Sequence, residues 1–145
     1  MQNEEELKVM IDNAQKLHGH LGPFLVIGVR VGIIAKRVLG VADGECACLN
    51  AHVKIPLFPP FSCLLDGIQA VTTCTVGNQR LTMENSEEIR VTFSRQDSNR
   101  MVKITLEPRL AEELKKKLGE DALTGEFARK IAGLPENQVF NIALE

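Results

Sequence analysis

Residues 24 to 34, FLVIGVRVGII, are too apolar to lie against water and, with Arg30 among them, fall far short of the ~20 apolar residues that cross a bilayer. Such a run has to become a buried helix around which the rest of the chain is arranged. Pro23 suits its first turn, and Gly40, at the end of LVIGVRVGIIAKRVL, suits a left-handed cap. Gly28 and Gly32 each cost roughly 1 kcal/mol against alanine in a helix interior, so tight packing against a neighbour is the expected compensation. Because this helix is apolar nearly all round, a small domain would be hard pressed to bury it alone, which predicts a homodimer.

At 145 residues the chain is the size of one domain, able to bury roughly two-thirds of its unfolded surface without a disulfide or a structural metal. Hydrophobic residues make up 44% and charged residues 25%, which excludes disordered and fibrous classes. A net charge of -2, with 17 Lys and Arg against 19 Asp and Glu, leaves no basic face for nucleic acid. With no Trp and no Tyr, stacking platforms for bases or sugars are not expected. The acidic start MQNEEELK is unlike a leader, so the four cysteines are expected to be reduced and the protein soluble and cytoplasmic, with no membrane partner.

Leu7, Met10, Ile11, Ala14 and Leu17 recur at helical spacing, predicting a first helix that runs into His18. Residues 45–55 alternate, with Ala47, Leu49, Ala51, Val53 and Ile55 on one face, as a strand does. After the loop IPLFPPF, Ser62 reads as the N-cap of a helix from Cys63 to about Thr73, broken by Thr75 to Asn78. Three strand-like runs follow, Leu81 to Glu84, Glu88 to Arg95 with Ile89, Val91 and Phe93 on one face, and Arg100 to Leu106 with Val102, Ile104 and Leu106 on one face, joined by the hairpin-like turns ENSE and QDSN. A helix from Pro108 to Lys117 closed by Gly119, another from about Asp121 to Ala132, and an edge strand in QVFNIAL complete the chain. The expected fold is α+β: a single domain, residues 1–145, with a small mixed or antiparallel sheet packed against several helices.

Three segments have the composition of a site. His18-Gly-His20-Leu-Gly-Pro23 is a tight turn between helices, where Gly19 allows a sharp bend that brings two metal-ligating imidazoles together. The plainer reading has His18 interacting with the end of the first helix and His20 in solvent. In Ser62-Cys63-Leu-Leu-Asp66-Gly-Ile-Gln69, a cysteine at a helix start feels the positive end of the dipole, which is expected to lower its pKa; Asp66 and Gln69 follow one and two turns on, placed to support a ligand from behind. The plainer reading is a cysteine packed as a small hydrophobe. Thr72-Thr73-Cys74-Thr75-Val-Gly77-Asn78 offers hydroxyls and amides to an anion or small polar ligand, or simply satisfies the end of its helix. Cys63 and Cys74, eleven residues apart, share a helix face, yet a rise of about 1.5 Å per residue separates them by on the order of 16 Å along a continuous helix, so they cannot grip one ion. Cys46 and Cys48 share a strand face with His52, but a lone C-x-C pair is weak evidence for zinc.

In order, HGHLGPFLVIGVR, CLLDGIQ and TTCTVGN, spanning residues 18 to 78, resemble the formylmethanofuran dehydrogenase E-subunit (FmdE-like) domains. The resemblance implies an α+β domain, often oligomeric, with one transition metal ion, zinc in an aerobic preparation, held by His18, His20 and Cys63. It further implies a neighbouring cofactor-binding pocket lined by Asp66, Gln69, Cys74, Thr75 and Asn78, with Asp66 the nearest carboxylate for catalytic proton transfer. The chain departs from the family where many members carry Cys at the place of Gly22, at Asn78-Gln79-Arg80, and in having no four-cysteine module after Cys74. The reading is a metal-binding domain of cytoplasmic one-carbon or redox metabolism, a homodimer with a larger redox enzyme complex as a further partner; its alternative is a non-catalytic accessory or carrier module of a molybdenum or tungsten enzyme.

Overall fold

The apolar run is the hub of the computed structural model, which describes residues 4–42, 44–45, 48–118 and 125–145. Along the chain lie α1 (Glu4–His18), α2 (Pro23–Leu39), β1 (Leu49–Ile55), α3 (Cys63–Thr72), β2 (Leu81–Asn85), β3 (Arg90–Arg95), β4 (Met101–Leu106), α4 (Pro108–Lys117), α5 (Gly125–Gly133), the short α6 (Glu136–Val139) and β5 (Phe140–Leu144). The α2 helix is buried along almost its whole length and contacts α1, α3 and α5 as well as the sheet. It begins with Pro23 and ends at Gly40, whose φ of 66° lets the Val41 amide reach back to the Lys36 carbonyl. One chain thus covers its own apolar helix, so the argument from that helix to a homodimer falls away. Among the described residues, no helix is long and apolar enough to cross a membrane.

The five strands form one mixed sheet in the order β2-β1-β3-β4-β5, parallel only between β1 and β2. The two-residue period puts Ala51, Phe93 and Val102 in register across the central strands, and Val53, Val91 and Ile104 in the next row, all buried under the helices. The α+β expectation holds, with β5 as the edge strand. One connection differs from the sequence reading. The QDSN turn does join paired strands β3 and β4, but ENSE closes no hairpin: β2 and β3 lie on opposite sides of β1, and the link passes its end with the Ser86 amide on the Ile55 carbonyl. Turn residues specify a reversal of direction, not which strand is met afterwards. The expectations for Cys46, Ala47, Gly119 and the start of a helix at Asp121 lie outside the described residues.

A direct backbone approach joins α2 to α3. A methyl group at Gly28 would fall on the Leu64 carbonyl oxygen, and one at Gly67 on the Leu25 carbonyl oxygen. The compensation expected for a glycine in α2 is therefore contact with the α3 main chain, while Gly32 packs less tightly, against the Val71 side chain. This contact fixes where α3 presents its polar residues.

Candidate functional site

The site gathers where the end of α1 meets α3. At Gly19 the chain turns with φ at 103°, as the Gly19 amide closes on the Gln15 carbonyl, so the last residue of α1, His18, faces α3. His18 Nδ1 stands 2.6 Å from Asp66 Oδ2. A carboxylate only accepts, so in the neutral ring Nδ1 carries the proton and Nε2 presents its lone pair. That Nε2 is buried and has no partner among the described residues. The His20 ring lies 4.5 Å from the His18 ring, tilted by 38°, and is exposed. A side chain at Gly22 would begin 3.8 Å from His20 Nε2, so the glycine leaves open the space beside that atom.

Asp66 is held from its other side. Gln69 Nε2 donates to Asp66 Oδ1 at 3.0 Å, and the Val76 amide donates to Gln69 Oε1 at 3.3 Å. Thr75 and Asn78 use their polar atoms on the turn itself: the Asn78 carboxamide accepts from the Thr75 and Arg80 amides and donates to the Thr73 carbonyl, and Thr75 Oγ1 accepts from the Asn78 amide. Cys74 lies fully buried in the core, with its thiol toward the Leu49 carbonyl at 3.4 Å.

Three local expectations are corrected. Ser62 makes no side-chain cap; the amides of Cys63, Leu64 and Leu65 bond instead to the carbonyls of Pro60, Phe61 and Ser62. Burial pushes the Cys63 thiol up from its ordinary value, the Asp66 charge adds to this, and a backbone amide offsets part of it, the opposite of the lowered value expected. Finally, α3 ends at Thr72 with Thr73 at φ 57°, so Cys63 and Cys74 are not joined by one continuous helix. In metal-free native protein, alkylation read by peptide mapping is expected to reach Cys63 and not Cys74. Because its pKa is raised, the Cys63 rate should climb only above the ordinary thiol range of about 8.5.

Among the described residues no group of three His, Cys, Asp or Glu side chains is arranged to hold a metal ion, so the His18, His20 and Cys63 set is not drawn together. What is in place is the His18–Asp66 pair, with Gln69 behind the carboxylate. Local sequence gives no sign that His18 pairs with Asp66 across 48 positions, although the resemblance had placed both residues about one site. A cavity of about 530 Å³ lies nearby between α1 and α5, lined by Leu7, Ile11, Leu21 and Arg129 among others, and none of the three candidate ligands lines it.

An α+β domain with helices over one face of a mixed sheet, and a carboxylate-oriented histidine at a helix end, defines the class. Over residues 17–142 the chain matches the family described as "FmdE, Molybdenum formylmethanofuran dehydrogenase operon", and it belongs to that family. It is 29% identical over 120 residues to a protein of Archaeoglobus fulgidus described as "Probable S-adenosyl-L-methionine-binding protein", a match covering 83% of this chain and 32% of that one. The chain thus spans about a third of that relative. Its fold is like that of an FmdE-like protein of the tungsten formylmethanofuran dehydrogenase type from Syntrophus aciditrophicus, with a TM-score of 0.65, 17% identity, and coverage of 96% of this chain and 71% of the other.

Proposed function

We propose that this FmdE-family chain binds one transition metal ion, zinc in an aerobic preparation, through His18, His20 and Cys63, and serves cytoplasmic one-carbon or redox metabolism. The observation that carries this reading is His18 Nε2, buried and without a partner while Asp66 holds Nδ1. Histidine ligands are commonly oriented in this way by a carboxylate on the far ring nitrogen, and a buried acceptor without a partner costs about 1–3 kcal/mol unless something fills it. Neither His20 nor Cys63 bonds another residue through its polar side-chain atoms among the described residues, so closing the set breaks no such bond. Bound there, the ion would polarise a water or a substrate oxygen. Asp66 holds His18 rather than standing free as a general base.

A second reading, a non-catalytic accessory or carrier module of a larger molybdenum or tungsten enzyme, is favoured by the position of the cavity, which the candidate ligands do not line. S-adenosylmethionine binding is not carried over from the Archaeoglobus relative, of which only 32% is matched.

The test is elemental analysis of protein purified anaerobically without a nickel column. About one ion per chain is expected, falling to near none in His18→Ala with the fold intact by circular dichroism. Full occupancy in a His18→Ala, His20→Ala double variant would overturn the assignment.

A further inference from the structure

We propose that Gln69 is a positioning residue that sets the tautomer of His18 through Asp66, keeping Nε2 as the atom free to ligate. The clause about ligation rests on the metal site proposed above; the tautomer itself does not.

The direction of the chain of hydrogen bonds is fixed at its far end. A backbone amide can only donate, so the Val76 N–H, 3.3 Å away, turns Gln69 Oε1 toward itself. That leaves Gln69 Nε2 facing Asp66 Oδ1 at 3.0 Å. With Oδ1 engaged, the carboxylate is held with Oδ2 toward His18, 2.6 Å from Nδ1. Each group has one role imposed by the group before it, and the bare Nε2 of His18 is the last consequence. Without the amide of Gln69 the half-exposed Asp66 carboxylate is free to turn toward water, and His18 loses what selects its tautomer. Gln69 itself touches no ligand; it acts through Asp66.

The polarity makes an exchange experiment possible. In Asp66→Asn, Gln69 still donates to residue 66, so the new carboxamide must aim its oxygen at Gln69 and its NH2 at His18 Nδ1. The ring is then forced into the Nε2–H form. Adding Gln69→Glu reverses this: the Glu carboxylate accepts from the Val76 amide and from the Asn NH2, which turns the Asn oxygen back to His18 and restores Nδ1–H. A side chain that merely fills space would not give this rescue.

The readout is the ring 15N shifts of metal-free, histidine-labelled protein, taken at a pH where those shifts show the His18 ring neutral, since only the neutral ring has tautomers. His18 is expected as Nδ1–H in the parent, Nε2–H in Asp66→Asn and Nδ1–H again in the double variant. A double variant that stays Nε2–H, or a single variant that stays Nδ1–H, overturns the proposal. If Asp66→Asn does not fold, Gln69→Leu decides in its place: a mixture of tautomers supports the proposal, and a single Nδ1–H form in folded protein overturns it. Because no metal is present, failure here leaves the metal-binding assignment standing, and failure of metal binding leaves this result intact.

Discussion

Replacing Gly67 with alanine is expected to cost the fold on the order of 3 kcal/mol, a drop in melting temperature of roughly 10 °C for a chain of this size. The added methyl meets the Leu25 carbonyl and the backbone around Gly28, not a side chain able to swing aside. Relief requires α2 and α3 to move apart, which strips apolar contacts along both helices. Gly28→Ala should do the same from the other side, on Leu64. The two substitutions break one contact, so their costs should be well short of additive. Gly32→Ala, which meets the Val71 side chain at 3.0 Å, should cost less, and Gly133→Ala, with nothing within 4 Å, should be neutral or gain a few tenths of a kcal/mol. Urea unfolding of the four variants gives the ranking. Gly67→Ala at the stability of the parent would mean that the two backbones do not touch. The same separation moves Asp66 relative to His18, so any Gly67→Ala protein that remains folded should also weaken the metal binding proposed for His18.

That contact shows how far the sequence could be read. Pro23 and Gly40 act within their own helix turns, and the ends of α2 were therefore legible. The spacing of Gly28 and Gly32 announced a close neighbour but not its identity, because partner choice depends on the whole fold; Gly67 was visible only as part of CLLDGIQ. Alternation located the buried faces of β1, β3 and β4. It gave no sheet order, and so ENSE was taken for a hairpin. At Cys63 local reasoning failed in an instructive way. The rule about thiols at helix starts leaves out burial and neighbouring charge, and at Cys63 burial and then Asp66 outweigh what the backbone amide contributes. The resemblance brought His18, His20 and Cys63 forward as ligands with Asp66 and Gln69 beside them, whereas the bonds that link Gln69 to Asp66 and Asp66 to His18 come from the structure.

Arg30→Met is expected to destabilise the protein by about 2–4 kcal/mol, although it replaces a buried charge with an apolar side chain of comparable length. Exchanging buried charged groups for apolar ones is often neutral or stabilising when the whole polar set is removed together. Here the acceptors stay behind. Arg30 is 4% exposed, and its Nη1 donates to the carbonyls of Ile131 at 2.9 Å and Leu134 at 2.7 Å, at the end of α5. Methionine takes the Arg30 donor from both, leaving the Ile131 carbonyl only the long bond from the Leu134 amide at 3.3 Å, and removes a cation from the negative end of a helix. Burial lowers the Arg30 pKa and the Glu136 charge raises it, while the guanidinium carbon lies 5.8 Å from the centre of the Phe140 ring. Those features show a charge held in place by α5 and its flanks, with no carboxylate bonded to it among the described residues. Lysine keeps the charge and one donor head but not the planar fork, so Arg30→Lys should fall between the parent and Arg30→Met. Chemical denaturation measures the order, and hydrogen exchange should show the α5 amides losing protection first in Arg30→Met. An Arg30→Met protein as stable as the parent, with α5 equally protected, would show that the packing of Phe127, Ala128 and Ile131 holds that helix unaided.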